Sequence, residues 1–344
     1  MPVQRKDVVI AYGTSHPELA KEISKISGIP TVTVHARQFA NHEVGLVDVA
    51  GRGVAIEGSV RRKHVFLVQS PHGKKLNDFL METFIIASAL KRHGATEITA
   101  VIPHFPYARQ ERISAERGPV SAKLVVDLLH TAGVNNIIAV DLHAKPIQGF
   151  TPESFENISL LGLAYKRLKK LFGKNIGNVV FVASDAGSAE RNRKMAHAFG
   201  TPYGLFEKHR PAPNVSEVTG YVGPSLKERD VVVLDDMIDT GGTLVSLARK
   251  VREEMGAKSL TVYATHGVFS EVEKDGKKVR AQDRLNASPH IDRVFVSNTL
   301  PVMSEGKITV EPIAAFLAKV LLTHHEGGSI SRLMSLTEAA KTAK

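Results

Sequence analysis

Apolar, β-branched runs alternate with helix-spaced apolar patterns along almost the whole chain, and this alternation restricts the fold more than any other feature. Strand-like runs fall at Val8–Ala11, Thr31–Val34, Val65–Val68, Ile98–Ile102, Ile137–Val140, Val179–Val182, Val231–Leu234, Leu260–Ala264 and Val294–Val296. Helical spacing fills the gaps at Pro17–Ile26, Asp78–His93, Ser121–Ala132, Leu160–Leu171, Glu190–Phe199, Leu244–Met255 and Ile313–Leu322. Short, continuous apolar runs suit strands buried on both faces, so the expected class is α/β, with mainly parallel sheets flanked by helices. Ligands of such sheets sit at the carboxyl ends of the strands. A length of 344 residues predicts two domains. Thr151–Asn157, with Pro152, reads as their joint, dividing residues 1–155 from 156–344. Val49–Gly58 and Glu271–Pro289 read as surface excursions.

Composition removes several classes of function. The chain has no cysteine, which rules out disulfides, thiolate catalysis and Cys-based zinc sites. No stretch approaches about 18 uninterrupted apolar residues, so no membrane span is expected. Met1–Asp7 lead directly into the first strand-like run without the apolar core of a secretory signal, and a cytoplasmic location is expected. The net charge is +10, yet the basic residues are scattered, aromatics make up 6% and Trp is absent. That pattern suits small polyanions better than nucleic acid, which needs stacking platforms.

The most specific segment runs from Val231 to Thr243: four apolar residues, Asp235 and Asp236, then Asp239-Thr240-Gly241-Gly242-Thr243 ahead of a periodic helix. A strand feeding a glycine turn at a helix N-terminus presents backbone N–H groups to a phosphate. The acidic pair adds acceptors for vicinal hydroxyls or outer partners for a metal. A phosphate nest beside a diol clamp suits a ribose phosphate.

Other segments follow strand-like runs. Pro103-His104-Phe105-Pro106-Tyr107-Ala108-Arg109-Gln110-Glu111-Arg112 offers arginines that grip oxygen-rich anions, and Gln110 to bond a phosphate or a base. In Asp141-Leu142-His143-Ala144-Lys145-Pro146-Ile147-Gln148-Gly149-Phe150, His143 reads as a metal ligand, a general base or a structural residue. Asp185, in Ala183-Ser184-Asp185-Ala186-Gly187-Ser188, reads as a metal contact or a helix N-cap. Lys208 and Arg210 stand two apart in an extended segment, suited to neutralising a transferring phosphoryl group or to a solvated loop. Phe39-Ala40-Asn41-His42-Glu43 combines an aromatic face with polar groups.

In this order the segments resemble those of the ribose-phosphate diphosphokinases, and residues 231–243 also resemble the phosphoribosyltransferase signature. The resemblance implies two tandem phosphoribosyltransferase-like domains, the first on the ATP side and the second on the ribose 5-phosphate side, with the final helix packing back on the first. It implies transfer of the diphosphoryl group of Mg-ATP to the 1-hydroxyl of ribose 5-phosphate, giving 5-phosphoribosyl 1-diphosphate and AMP for nucleotide biosynthesis. By the same resemblance Phe39, Asn41, Glu43, Arg109, Gln110 and His143 bind ATP, and His143 and Asp185 contact Mg2+. Asp235 and Asp236 hold the ribose hydroxyls. Asp239, Thr240, Gly241, Gly242 and Thr243 hold the 5-phosphate, with Arg210 nearby, and Lys208 and Arg210 are catalytic. The Phe39 loop implies a site shared across a dimer, with assembly into hexamers. The chain departs from the family pattern at Ala183, Ser184 and Ser188, where Ser, Pro and Gly are usual. Ser59-Val60-Arg61 resembles part of a regulatory phosphate loop, but Arg62 stands where Gly is usual. The competing readings are a phosphoribosyltransferase, which needs no ATP loops, and a non-catalytic paralogue that binds active subunits.

Overall fold

A computed structural model describes residues 7–47, 55–212, 215–274 and 276–342; the side chains of 208–219, 274, 277 and 342 lie outside the described set. The chain forms two compact units. The first takes the chain up to Ile158 together with Thr299–Pro301 and Pro312–Ile330, and the second takes the rest.

The first unit holds a seven-stranded sheet of β1 (Val8–Tyr12), β2 (Thr31–Val34), β3 (Ile56–Glu57), β4 (His64–Val68), β5 (Glu97–Ile102), β6 (Asn136–Val140) and β7 (Phe155–Ile158). Their order across the sheet is β3-β2-β1-β4-β5-β6-β7, parallel except for β3. The central strands are buried along their length, as β4 is from His64 to Val68. This is the burial that uninterrupted apolar runs demand. Helices α1 (Pro17–Ser27), α2 (Leu76–Arg92) and α3 (Ser121–Ala132) connect the strands. Beneath them Ile86, Leu90, Val126 and Leu129 fill the core with Leu67, Ala100 and Ile137.

The second unit repeats the plan with β8 (Val179–Ala183), β9 (Tyr203–Ala212), β10 (Val215–Val222), β11 (Asp230–Ile238), β12 (Ser259–Gly267), β13 (Arg293–Ser297) and β14 (Ile308–Glu311). The order is β10-β9-β8-β11-β12-β13-β14, parallel except for β10. Rank for rank, this is the order of the first sheet. Helices α4 (Leu161–Phe172), α5 (Ala186–Phe199), α6 (Gly242–Arg249) and α7 (Ala281–Ala287) belong to this unit. The next helix, α8 (Ala314–His325), packs on α1 in the first unit. The last one, Leu336–Thr342, packs on α4 in the second.

Three sequence readings need correction. The supposed joint at Thr151–Asn157 runs into β7, whose Phe155 and Ile158 are buried. Glu271–Pro289 is more than a surface excursion, since it carries a hairpin (Val272–Lys274 with Lys277–Val279) and α7, with Ala281 and Leu285 in the core. The strand expected over Val231–Leu234 continues through both carboxylates to Ile238, and the helix after it gives way at Lys250–Glu254 to a π-helical turn. Part of the Val49–Gly58 reading lies outside the described residues; its end forms β3. Arg62 holds a left-handed φ of 59°.

In β8, Phe181 is fully buried and stacks on Phe199 of α5 at 5.7 Å. Phe181→Ala should destabilise the second unit by about 3–5 kcal/mol, the usual range for emptying such a site. Urea denaturation followed by far-UV circular dichroism checks this.

Candidate functional site

In both sheets the strand order reverses beside the first strand, between β1 and β4 and between β8 and β11. A crevice opens at the carboxyl ends of such a strand pair. The two crevices are furnished differently.

In the first unit the protein fills the position itself. Glu82 of α2, 4% exposed, accepts from Thr14 N and Thr14 Oγ1, both at 2.6 Å, and from Gln69 Nε2 at 2.9 Å. Ser15 Oγ donates to Gln69 Oε1 and accepts from Ser70 N at 2.8 Å. A Cβ on Gly13 would collide with Glu82 Oε1 and Gln69 Nε2, so glycine keeps this close approach open.

In the second unit the same position gathers acids. Asp185 follows β8 and caps α5: its Oδ1 accepts from Ser188 N at 3.0 Å, while Ser188 Oγ accepts from Asp185 N at 3.4 Å. This reciprocal capping box depends on the Ser188 hydroxyl. Ser184 donates to Asp235 Oδ2 at 3.4 Å. Asp235 and Asp236 are half-buried within β11, and Asp235 Oδ1 accepts from Asp236 N at 2.9 Å. Burial, then the charges of Asp236 and Asp185, push the Asp235 carboxyl well above its ordinary value.

Asn192 sets the spacing between α5 and this strand. It is fully buried; its Nδ2 donates to Leu234 O at 2.7 Å and to Ser188 O at 2.9 Å, and its Oδ1 accepts from Leu234 N at 2.9 Å. Sequence reasoning missed this residue. The available signal was an amide in the middle of an otherwise amphipathic helix, two turns after its cap.

Past Ile238 the chain turns through Asp239, Thr240 and Gly241 into α6, which begins at Gly242. Gly241 has a φ of 71°, the left-handed conformation that glycine adopts without penalty. Leu285 of α7 lies 3.3 Å from where a Gly241 Cβ would stand, and Arg284 Nη1 donates to Thr240 O at 3.1 Å. The turn is thus braced from behind by the segment first read as a surface excursion. Lys208 and Arg210 lie in β9, paired antiparallel with β10, and their side chains are outside the described set.

The remaining predicted residues belong to the first unit. Arg109 and Gln110 follow β5, and His143 follows the adjacent β6, so the structure brings their loops to one edge. Phe105 and Ala108 are buried and anchor the first loop, leaving Arg109 and Gln110 exposed. Gln110 Oε1 accepts from Ser121 Oγ at 2.7 Å. The His143 loop is pinned by β7 and its leading residue, Leu142 N donating to Asn157 Oδ1 at 2.9 Å and Asp141 N to Ile158 O at 2.8 Å. Phe39, Asn41 and Glu43 lie in the loop of a hairpin, Ala36–Gln38 with Val44–Leu46. Arg37 covers the Phe39 ring at 5.3 Å, and Asn41 Oδ1 accepts from Glu43 N at 3.2 Å. The start of α2 links this hairpin to the Arg109 loop, since Asp78 accepts from Gln38 at 3.2 Å and Asn77 from Tyr107 at 2.7 Å.

A raised carboxyl pKa has a definite sign in stability. Ionising Asp235 costs the folded state more than the unfolded chain, so stability falls as pH rises through the raised value. Ligand-free Asp235→Asn should therefore melt above the wild type, by about 2–4 °C for each ~1 kcal/mol relieved. The gap should widen with rising pH, which thermal melts across a pH series would show.

Comparison with known proteins agrees with this architecture. Residues 8–133 match the model for the N-terminal domain of ribose phosphate pyrophosphokinase, and residues 153–288 match the phosphoribosyl transferase domain. The ribose-phosphate pyrophosphokinase of Corynebacterium efficiens is 37% identical over 332 residues, covering 95% of this chain and 96% of that protein. The Aquifex aeolicus protein of that name is 36% identical over 330 residues, covering 95% and 99%. The crystal structure of phosphoribosylpyrophosphate synthetase from Mycobacterium smegmatis superposes with a TM-score of 0.79 at 34% identity, over 94% of this chain and 100% of that one. Matched in both halves and along nearly its full length, the chain belongs to the ribose-phosphate pyrophosphokinase family.

Proposed function

We propose that the protein transfers the diphosphoryl group of Mg-ATP to the 1-hydroxyl of ribose 5-phosphate, giving 5-phosphoribosyl 1-diphosphate and AMP for nucleotide biosynthesis. The observation that carries this reading is the Asp235–Asp236 pair in β11, running into the Gly241 turn at the head of α6. In this reading the turn's N–H groups, with Thr240 and Thr243, take the 5-phosphate, helped by Asp239 and Gly242, which shape the turn. The two acids take the ribose hydroxyls. Arg109 and Gln110 take the nucleotide phosphates, and Phe39, Asn41 and Glu43 read the base. The last group acts on the nucleotide of a neighbouring subunit, which makes the working unit a dimer within a larger, hexameric assembly in the cytoplasm.

The sugar oxygen attacks the β-phosphorus, the bond from that phosphorus to the α,β-bridging oxygen breaks, and AMP departs with the bridging oxygen. The hydroxyl proton is lost as the new bond forms. Such chemistry depends on in-line placement and charge neutralisation more than on a strong base. Lys208 and Arg210 supply fixed positive charge to the group in flight. Magnesium, when bound, offsets charge on the nucleotide's phosphate oxygens. The crowded carboxylates around Asp185 fit such a hard cation, since a bound charge relieves the repulsion that raises the Asp235 pKa. Asp185 and His143 are the residues that would hold it. Among the described residues no helix is long and apolar enough to cross a membrane.

The test is AMP release from ATP and magnesium, with and without ribose 5-phosphate. AMP formed only with the sugar supports the reading; ADP in its place means γ-phosphoryl transfer and overturns it. Lys208→Ala and Arg210→Ala should each lower turnover by about 10²–10³-fold, the scale seen on removing one transition-state contact. Far-UV circular dichroism of both should match the wild type, and wild-type turnover in both would contradict their role.

A further inference from the structure

At the amino ends of β4 and β5, away from the strand ends that carry the motifs above, two histidines and a carboxylate converge. His64 opens β4, Glu97 opens β5, and His324 comes from the last turn of α8. One ligand atom from each lies within 4.8 Å of the others. They line a cavity of about 300 Å³ that also touches Asp7 and His325.

The surrounding hydrogen bonds fix which nitrogen of His64 is available. His325 Nε2 faces Asp7 Oδ2 at 3.4 Å, and a carboxylate there favours the proton on Nε2. His325 Nδ1 then carries a lone pair, and it lies 3.1 Å from His64 Nδ1, which must donate. The His64 Nε2 lone pair is therefore turned inward, 3.8 Å from Glu97 Oε1. Thr99, fully buried, places Oγ1 2.8 Å from His64 Nε2 and 3.5 Å from His324 Nε2. Its hydroxyl can donate to His64 Nε2 and accept from His324, so it bridges the two rings. Glu97 Oε1 accepts from Asn136 Nδ2 at 2.5 Å.

Two imidazoles and a carboxylate that converge within reach of one ion, with outer hydrogen bonds on Glu97 and His64, have the arrangement of a metal site. We propose that His64, Glu97 and His324 form a binding site for a borderline divalent cation of the Zn2+ class, distinct from the magnesium of the diphosphoryl transfer. Two imidazoles and a carboxylate match Zn2+, whereas Mg2+ takes oxygen. The pairs Asn136–Glu97 and Asp7–His325–His64 are the outer contacts that orient such ligands. Tetrahedral zinc ligands stand about 3.4 Å apart, so closure needs side-chain movements of only about 1 Å. A bound cation would fasten the end of α8 to the first sheet, joining the chain's late segment to the strands formed first in sequence.

The test is a Zn2+ titration of the full chain against a chromophoric chelator, with Mg2+ in millimolar excess to occupy oxygen-only sites. The wild type should take up one equivalent of Zn2+, and Co2+ in its place should give the visible absorption of a tetrahedral nitrogen–oxygen site. His324→Ala and Glu97→Gln, with unchanged far-UV circular dichroism, should each weaken that equivalent at least about tenfold. Asp185→Asn should retain it. Absence of a stoichiometric equivalent in the wild type, or an equivalent that survives both ligand variants, overturns the proposal. So does one that is lost in Asp185→Asn.

Discussion

Like-charge crowding at one sheet crevice governs much of the second unit. Asp185, Asp235 and Asp236 meet where β8 and β11 part, and burial adds to their mutual repulsion. Left alone, such a group would draw apart or take up water. It is held by neutral contacts: the capping box at Ser188, the Ser184 hydroxyl, and above all Asn192, whose amide bonds both backbone atoms of Leu234. The fold stores an unfavourable charge arrangement that a cation or a polyhydroxyl ligand would relieve. Proteins accept strain of this kind at functional sites more than elsewhere.

The same sheet order serves two purposes. In the first unit the reversal point is filled by Glu82, Gln69, Thr14 and Ser15, with every donor and acceptor named above matched within the protein. A satisfied buried network makes that part of the sheet rigid. The loops that matter in the first unit instead leave β5 and β6, one strand further along. Topology therefore provides two equivalent crevices, and side chains decide that one is filled by a satisfied network and the other lined with acids.

Much of this was legible in the sequence because of where the apolar residues fall. The central strands are buried on both faces, so their runs are uninterrupted, and α3 lies at the expected residues, Ser121–Ala132. Edge strands were harder to read. β7 has only Phe155 and Ile158 inside, next to Pro152, and so resembled a linker. The extension of β11 was hidden because a strand carrying two acids breaks the apolar pattern, although pairing with β12 continues through Asp235 and Met237. The acidic pair and the glycine turn were legible as chemistry. Their supports were not, since Asn192 and Arg284 act through backbone atoms distant in sequence. The substitutions at Ser184 and Ser188 read as departures in the sequence, but in the structure they provide the hydrogen bonds that hold Asp185 and Asp235 in place.

The central claim is that one crevice per chain, the one with the acids, is built for a ribose phosphate. Calorimetric titration of ligand-free protein with ribose 5-phosphate in the presence of magnesium tests it most directly. The account predicts one equivalent per chain, lost in Gly241→Val, where a β-branched residue cannot hold the left-handed turn, and retained in Glu82→Gln. Two equivalents, or binding that survives Gly241→Val and disappears in Glu82→Gln, would contradict it.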